Sequence, residues 1–149
     1  MNKGLYSSDK DDWETPKELF NALEKEFKFR LDPCCSINNC KCPTGYTKEA
    51  DGLTQDWTPF ETIFMNPPYG RVIGGWMKKA HETAQAGSTV VCLVPARTDT
   101  AWFQDYCLDP KYEIRFIKGR LKFSNSKNSA PFPSAIVIMK TIIPKELKV

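Results

Sequence analysis

The sequence contains few of the features on which several common protein classes depend. It has one histidine among 149 residues, His81, in a charged stretch typical of a helix surface. Chemistry built on a histidine base is therefore not expected. No apolar run approaches the roughly 20 residues that span a bilayer. The polar, acidic first residues also do not predict a secretory signal.

The six cysteines do not form a common metal-binding pattern. Cys34, Cys35, Cys40 and Cys42 are spaced C-C-x4-C-x-C, without the two-residue gap of most structural zinc sites. A zinc site is the alternative interpretation of this cluster. Because no secretory signal is predicted, we expect reduced thiols instead. The other two cysteines, Cys92 and Cys107, lie in apolar runs and are expected in the core.

The composition is that of an ordinary globular domain, with 41% hydrophobic and 26% charged residues and a net charge of +3. Helical spacing and capping signals predict helices over 16–26, 72–86 and 100–107. Strands are predicted over 27–31, 61–65, 88–94, 112–117 and 134–140, with a possible short strand near 41–47. This alternation predicts an α/β domain with a mainly parallel sheet. We expect one domain over 13–143, with no separate target-recognition domain, after a flexible segment over 1–12.

Two local patterns direct attention to one edge of this sheet. Asp32, Asn66 and Pro95 each fall where a predicted strand ends, and ligands of parallel sheets bind beyond the carboxyl ends of the strands. Thr15 and Pro16 suit the N-cap and first position of a helix, with Glu18 completing a capping box.

The segment Asn66-Pro67-Pro68-Tyr69 directly follows the predicted strand 61–65. Two prolines end a strand rigidly and bring no N–H donors. The segment resembles motif IV of S-adenosylmethionine-dependent amino methyltransferases, which methylate the exocyclic nitrogen of adenine or cytosine, or a glutamine side chain. An aryl amine is a weak nucleophile because its lone pair is delocalised. The Asn66 side-chain oxygen and the Pro67 carbonyl can accept its hydrogens and make it more nucleophilic, while Tyr69 can stack on a base.

A longer series of segments, in order over about 11–140, resembles the phage-type DNA N6-adenine methyltransferases, a small Dam-like family. They are W-E-T-P (13–16), F-K-F-R-L-D-P-C (27–34), T-K-E-A-D-G-L-T-Q-D-W (47–57), F-M-N-P-P-Y (64–69), G-R-L-K-F (119–123) and A-P-F-P-S (130–134). The resemblance implies a reduced class I, Rossmann-like fold with an antiparallel edge strand near the C-terminus. It also implies S-adenosylmethionine as donor, adenine in double-stranded DNA as acceptor, and a cytoplasmic location in a bacterial host or phage-infected cell.

The same resemblance implies a set of cofactor-binding residues. Thr15 and Pro16 would lie by the methionine part of the cofactor, whether or not they also cap the helix. Asp32, followed by Pro33 and Cys34, would lie near the amino group of the cofactor. Of the two later acids, Asp51 and Asp56, one would contact ribose and the other adenine, in an order that stays open.

The sequence departs from the wider methyltransferase pattern in two ways. No glycine occurs at 32–36, so close backbone approach to a cofactor is less assured. The stretch from Pro33 to Met65 is also too short for the usual two helices and two strands. We therefore expect one helix to be missing and one face of the sheet to be thinly covered, and a monomer or a dimer is compatible with this.

Basic residues are concentrated near the C-terminal end. Residues 111–128 hold six bases and one acid. Arg97, Lys118, Arg120, Lys122 and Lys127 are predicted to contact DNA phosphates, with Phe123 and Phe132 as aromatic wedges. An ordinary solvated hairpin is the alternative. Three functions remain compatible: an adenine-N6 DNA methyltransferase of short or relaxed specificity, a methyltransferase of cytosine-N4, RNA or glutamine, and a non-catalytic DNA-binding module.

Overall fold

The computed structural model describes residues 11–36 and 40–141. Three α-helices are present in this part: α1 (Lys17–Phe27), α2 (Ile73–Gln85) and α3 (Ala101–Tyr106). Six strands follow the chain as β1 (Leu31–Asp32), β2 (Thr44–Gly45), β3 (Thr62–Met65), β4 (Thr89–Pro95), β5 (Glu113–Phe116) and β6 (Ser134–Met139). None of the described helices is long and apolar enough to cross a membrane.

The six strands form one sheet in the order β2-β1-β3-β4-β6-β5. Neighbours from β2 to β4 pair in parallel, whereas β6 runs antiparallel to both β4 and β5. This confirms the predicted α/β fold with antiparallel pairing at the C-terminal edge, where the reversed strand is β6 and the outermost strand is β5. Because β6 opposes both neighbours, β5 points the same way as β4. The carboxyl ends of β1, β3, β4 and β5 therefore share one edge of the sheet.

Helices cover both faces of the sheet. Phe64 of β3 contacts Phe20 of α1 and Phe29 on one face, with ring centroids 5.1 and 5.3 Å away. Successive strand residues point to opposite faces, so Ile63 and Met65 face the other side. There α2 packs on β4 and β6, and every residue of β6 is buried. The predicted core cysteines, Cys92 and Cys107, are fully buried.

Two local predictions near the first strand were wrong. The predicted strand 27–31 begins inside α1, and the chain then turns at Lys28, whose φ is 55°. The Thr62 hydroxyl donates to the carbonyl of Lys28 at 2.7 Å, which stabilises this turn. The strand that follows has only two residues. Thr15 does not cap α1, because Pro16 occupies the N-cap position and no side chain bonds to the helix start.

The stretch between β1 and β3 is as short in structure as the sequence predicted. Its described residues contain only β2 and a 3-10 turn at Gly52–Thr54, with no α-helix. The predicted flexible segment 1–12 lies mostly outside the described residues. The two acids at its end are fixed to the domain: the Asp11 carbonyl accepts from the Tyr69 backbone N–H at 2.8 Å, and Asp12 pairs with Lys48.

Candidate active site

A cavity of about 460 Å³ opens at the carboxyl edge of β1 and β3. It lies where the sequence predicted a ligand site. Eight of the predicted site residues line it: Thr15, Asp32, Pro33, Cys34, Asp51, Asn66, Pro67 and Pro68. Of the predicted catalytic and cofactor-binding residues, three do not line it, and these are Pro16, Asp56 and Tyr69. Sequence reasoning missed several lining residues, among them Asp12, Glu14, Tyr46, Glu49, Gly52 and Trp76.

The cavity lining is strongly acidic. Five carboxylates line it, from Asp12, Glu14, Asp32, Glu49 and Asp51, against a single cation, Lys48. Lys48 already forms an ion pair with Asp12 at 2.9 Å. Like charges held together in a recess attract a ligand of opposite charge. The cavity therefore favours a ligand that carries positive charge.

Asp32 is the most deeply buried of these acids, with 7% of its surface exposed. Burial raises the pKa of its carboxyl from 3.8 to about 7, although the Cys34 N–H, 3.0 Å from Oδ1, acts in the opposite direction. A buried carboxyl with this pKa is costly to charge when no cation lies beside it. A cationic group beside it would lower that cost and favour the charged form.

Gly52 forms a wall of the cavity by close backbone contact. A Cβ built on Gly52 would lie 2.1 Å from the Pro33 carbonyl oxygen and 3.1 Å from the Trp76 ring. The Gly52 carbonyl also accepts a hydrogen bond from the buried Trp57 indole at 2.8 Å. Residues 33–36, which follow β1, contain no glycine. The close backbone contact with Pro33 is instead made by Gly52, from a later segment. Gly52 and Trp57 both fall in the segment 47–57 of the family pattern, which is the signal that could have identified them.

The cysteine cluster differs from the sequence prediction. Cys35 and Cys40 form a disulfide, so the expectation that all the clustered thiols are reduced was wrong. The two sulfurs lie where a side chain of Gly45 would be, at 2.5 and 2.6 Å from its built Cβ position. The absence of a side chain at Gly45 in β2 thus provides the space in which the two cysteines meet. Cys34 and Cys42 remain free.

The Asn66 side chain is held in one orientation. Its amide nitrogen donates to the Trp13 carbonyl and, at 3.0 Å, to the Thr15 hydroxyl. The Trp13 carbonyl can only accept, so the NH₂ group must be on this side. Asn66 Oδ1 is then left buried without a hydrogen-bond partner. A buried unsatisfied acceptor is uncommon and costs free energy, which indicates a place for a donor from a ligand.

Thr15 therefore positions Asn66. The hydroxyl that the sequence predicted to cap α1 is 4% exposed and bonds to the Asn66 amide instead. The next carbonyl along the motif, that of Pro67, accepts no hydrogen bond from the described part of the chain. The two acceptors predicted for an amine are thus both available at the end of β3.

Tyr69 occupies a buried position. Only 1% of the residue is exposed, and its hydroxyl donates to the Leu93 carbonyl at 3.1 Å. Its ring meets Phe123 and Phe132 edge-on, with centroids 6.3 and 5.6 Å away. Stacking of Tyr69 on a base remains a prediction, and it requires these rings to move aside.

The two later acids of the predicted cofactor site, Asp51 and Asp56, differ in their position relative to the cavity. Asp51 accepts from the Leu53 N–H at 3.3 Å and lines the cavity. Asp56 Oδ1 accepts from both the backbone N–H and the hydroxyl of Thr58, at 3.0 and 2.7 Å. These bonds hold the pKa of Asp56 below its usual range. A cofactor contact by Asp56 remains a prediction.

The predicted DNA-binding residues are exposed cations, and we call this set the basic rim. Its members, all exposed, are Arg97, Lys118, Arg120, Lys122 and Lys127. Within residues 11–36 and 40–141, none of them forms an ion pair. The loop that carries the last of them is tied to the cavity wall, because the Ser124 N–H donates to the Glu14 carbonyl at 2.9 Å and Asn125 bonds to Glu14 and Asp12.

The two predicted aromatic wedges are in the wrong place for that role. Phe123 and Phe132 are 1% and 8% exposed. They pack around Trp13, with ring centroids 5.3 and 5.1 Å from it. Arg97 lies over the Phe132 ring at 5.7 Å. Both rings also contact Tyr69 of the N-P-P-Y segment, and their burial leaves neither exposed for insertion into DNA.

A mainly parallel sheet, an acidic cavity at its carboxyl edge, and a free amide acceptor in N-P-P-Y together define an α/β enzyme of the amino methyltransferase class. Comparison with known proteins makes this specific. The model of the DNA N-6-adenine-methyltransferase (Dam) family matches residues 3–147, and the chain belongs to this family.

Two phage proteins illustrate the relationship. The DNA N-6-adenine-methyltransferase of Haemophilus phage HP1 is 35% identical over 123 residues, which are 80% of this chain and 70% of the phage protein. The protein of the same name from Escherichia phage T1 is 34% identical over 106 residues, 69% of this chain and 44% of the T1 protein.

Proposed function

We propose that this protein transfers a methyl group from S-adenosylmethionine to the exocyclic N6 of adenine in DNA. The observation that carries the proposal is the buried, unpartnered Oδ1 of Asn66 beside an acidic cavity. Membership in the DNA N-6-adenine-methyltransferase family supports adenine in DNA as the acceptor.

The chemistry follows from the two free acceptors at the end of β3. An adenine amine that donates its two hydrogens to Asn66 Oδ1 and the Pro67 carbonyl has its lone pair directed away from the ring system. This makes the nitrogen a better nucleophile, and its fixed position lowers the entropic cost of reaction. Thr15 and the Trp13 carbonyl hold the Asn66 amide, so its oxygen cannot rotate away. No histidine base is needed for this step.

The cavity suits S-adenosylmethionine, which supplies an electrophilic methyl group on a positively charged sulfur when it is bound. The ligand also carries an ammonium group, and five carboxylates line the cavity. Asp32 would accept from the ammonium, with Pro33 and Cys34 beside it. Asp51 would accept from the ribose hydroxyls.

The remaining groups of the ligand also have candidate contacts. Tyr46 and Trp76 line the cavity and offer apolar surface to the adenine ring. The start of α1 has no side-chain cap, and its free N–H groups follow directly after Thr15, which lines the cavity, so they are candidates for the carboxylate of the cofactor.

Recognition of DNA would depend mainly on the backbone. The basic rim offers five cations for phosphates, and we propose a single catalytic domain over 13–143 without a separate target-recognition domain. Few side chains then reach base edges, so we expect a short or relaxed target sequence. Such an enzyme would act in the cytoplasm of a bacterial host or a phage-infected cell.

Two other functions make different predictions. A methyltransferase of cytosine-N4, RNA or glutamine would use the same N-P-P-Y segment but give a different labelled product. A non-catalytic DNA-binding module would bind DNA without transferring methyl. Against the module stands the fixed Asn66 amide, whose unpartnered oxygen costs stability and has no purpose in a protein that only binds DNA.

The experiment is a transfer assay with methyl-labelled S-adenosylmethionine and unmethylated DNA, RNA or protein, followed by identification of the labelled product. N6-methyladenine from DNA is the expected result. Asn66→Ala should reduce transfer by at least about a hundredfold, as loss of a preorganised catalytic hydrogen bond does. Asn21→Ala, an exposed asparagine of α1, is the matched control and should keep full activity. Full activity in Asn66→Ala would disprove the mechanism.

A further inference from the structure

One aromatic ring on the surface, that of Phe116, has no role in the methyl transfer proposed above. Phe116, the last residue of β5, is 64% exposed. Among residues 11–36 and 40–141, it is the one phenylalanine, tyrosine or tryptophan that is exposed. Burying a phenylalanine ring is worth about 1.5–3 kcal/mol, so this exposure forgoes a substantial stabilisation. Single exposed apolar residues are common, and the position of this one is what distinguishes it.

The sheet register places Phe116 on the active-site edge. Phe116 pairs with Ala135, which pairs with Val94 on its other side. On β4, Val94 lies two residues beyond Cys92, the partner of Met65 at the end of β3. Phe116 is therefore level with the first residues of the N-P-P-Y segment. Three strand spacings separate β5 from β3, which is about 14 Å across the sheet.

The chain next to Phe116 is positively charged and unpaired. Lys118, Arg120 and Lys122 follow within six residues, and all three are exposed. The base on β5 itself, Arg115, is neutralised by Glu26 at 2.7 Å on the opposite face of the strand. Positive charge beside Phe116 thus comes from the basic rim, which has no carboxylate partner among the described residues.

We propose that Phe116 inserts between base pairs of double-stranded DNA beside the target adenine, while the cations of the basic rim hold the phosphates. This inference rests on the proposed function and deepens it. A base amine paired inside a duplex cannot reach the recessed Asn66, so the base must leave the stack at a cost of a few kcal/mol. An apolar side chain inserted at a base step offsets part of this cost by replacing lost stacking. The sequence predicted Phe123 and Phe132 as the side chains that enter the DNA, but both are buried. The structure assigns this role to the exposed Phe116.

The test compares duplex and single-stranded DNA, because only the duplex must be opened. Phe116→Ala should lower the ratio of duplex to single-strand methylation by roughly tenfold, the effect of losing one aromatic–base stacking contact. Phe116→Trp keeps an aromatic ring and should restore most of the ratio. Leu108→Ala is the control: Leu108 is 48% exposed and precedes β5, at the opposite edge of the sheet. An unchanged ratio in Phe116→Ala overturns the inference even if wild-type protein methylates adenine.

A binding measurement separates this inference from the proposed function. Fluorescence anisotropy with a labelled duplex should show roughly tenfold weaker binding for Phe116→Ala, even if wild-type protein transfers no methyl group. Sedimentation of both proteins tests the other occupant of this surface, a second copy of the chain paired along β5. A change of oligomeric state in Phe116→Ala with unchanged duplex affinity would overturn the wedge. Absence of DNA binding by the wild type would overturn the wedge and the proposed function together.

Discussion

The cavity and the basic rim lie on the same edge of one sheet and carry opposite charge. Five carboxylates from the first 51 residues line the cavity, whereas the cations of the rim fall between Arg97 and Lys127. The two ligands of the proposed reaction differ in the same sense, since S-adenosylmethionine is cationic at its sulfur and amine and DNA is a polyanion. The charge of each region therefore attracts one ligand and disfavours the other.

The two regions also differ in how they are built. The cavity depends on burial and close contact, as at Asp32 and Gly52. The rim is exposed and depends mainly on charge. Changes in the cavity should therefore affect folding and cofactor binding, and changes in the rim should affect DNA binding without affecting folding. The predictions below test this separation, beginning with the variant that is expected to affect both folding and cofactor binding.

Gly52→Ala should damage the cavity most. The new methyl group would collide with the Pro33 carbonyl, and overpacking of this kind costs about 1–3 kcal/mol. We expect that loss of stability in urea unfolding, together with at least tenfold weaker cofactor binding by calorimetry. Gly75→Ala is the matched control, because nothing lies within 4 Å of its built Cβ and it lies inside α2. It should stabilise the protein by about 0.5–1 kcal/mol; equal effects at the two glycines would contradict the close-contact argument.

Asp32→Asn should separate cofactor binding from stability. Loss of a charged hydrogen bond should weaken S-adenosylmethionine binding roughly 30–100-fold, while duplex binding stays unchanged. Asp105→Asn, an exposed acid of α3, is the control. In the wild type, cofactor affinity should rise between pH 6 and 8 as Asp32 loses its proton, and this rise should vanish in Asp32→Asn. A pH dependence that persists in the variant would assign it to another group.

The effect of Asp32 on stability has the opposite sign. Its folded-state pKa of about 7 lies above the value of 3.8 for an unburied carboxyl. Without added cofactor, the protein therefore keeps the full contribution of Asp32 below about pH 4 and loses it as the pH rises through 7. Asp32→Asn should remove this loss, so the variant should melt at a higher temperature than the wild type above pH 7. Thermal scans without cofactor at pH 5 and pH 8 measure it, and a variant that melts lower at pH 8 would contradict the burial argument.

Lys118→Ala combined with Arg120→Ala should weaken duplex binding by roughly tenfold at moderate salt, and should reduce the slope of log affinity against log salt by about two. Stability and cofactor affinity should not change. Lys78→Ala is the control, since this exposed lysine lies on α2 and pairs with Glu82 at 3.9 Å. If the salt slope stays the same in the double variant, these two cations do not contact phosphates.

Lys48→Ala should have the smallest effect. Its ion pair with Asp12 is largely exposed, with 77% and 45% of the side chains accessible, and such pairs contribute less than about 1 kcal/mol. Cofactor affinity should stay equal or increase slightly, because the cavity loses its one cation. A tenfold loss of affinity would instead show that Lys48 contacts the carboxylate of the cofactor.

The fold and the location of the site followed from local patterns. Strand 61–65 and the rigid Pro67-Pro68 stop were readable because a short apolar run and proline geometry act over a few residues. The predictions that failed depended on contacts between distant segments. Thr15 was expected to cap α1, but its hydroxyl serves Asn66, 51 positions away. The pairing of Cys35 with Cys40 likewise depends on the space above Gly45 in a neighbouring strand.

The sequence by itself determined the order of helices and strands, the N-P-P-Y segment at a strand end, and the family of methyltransferases to which the chain belongs. These depend on periodicity, turn chemistry and an ordered series of segments, all of which are local. Only the tertiary structure decided which acids line the cavity and why Asn66 Oδ1 is free. It also decided that Phe116, and not Phe123 or Phe132, reaches the surface. Burial and hydrogen-bond partners arise when distant segments meet, and the order of residues along the chain does not specify which groups will be covered.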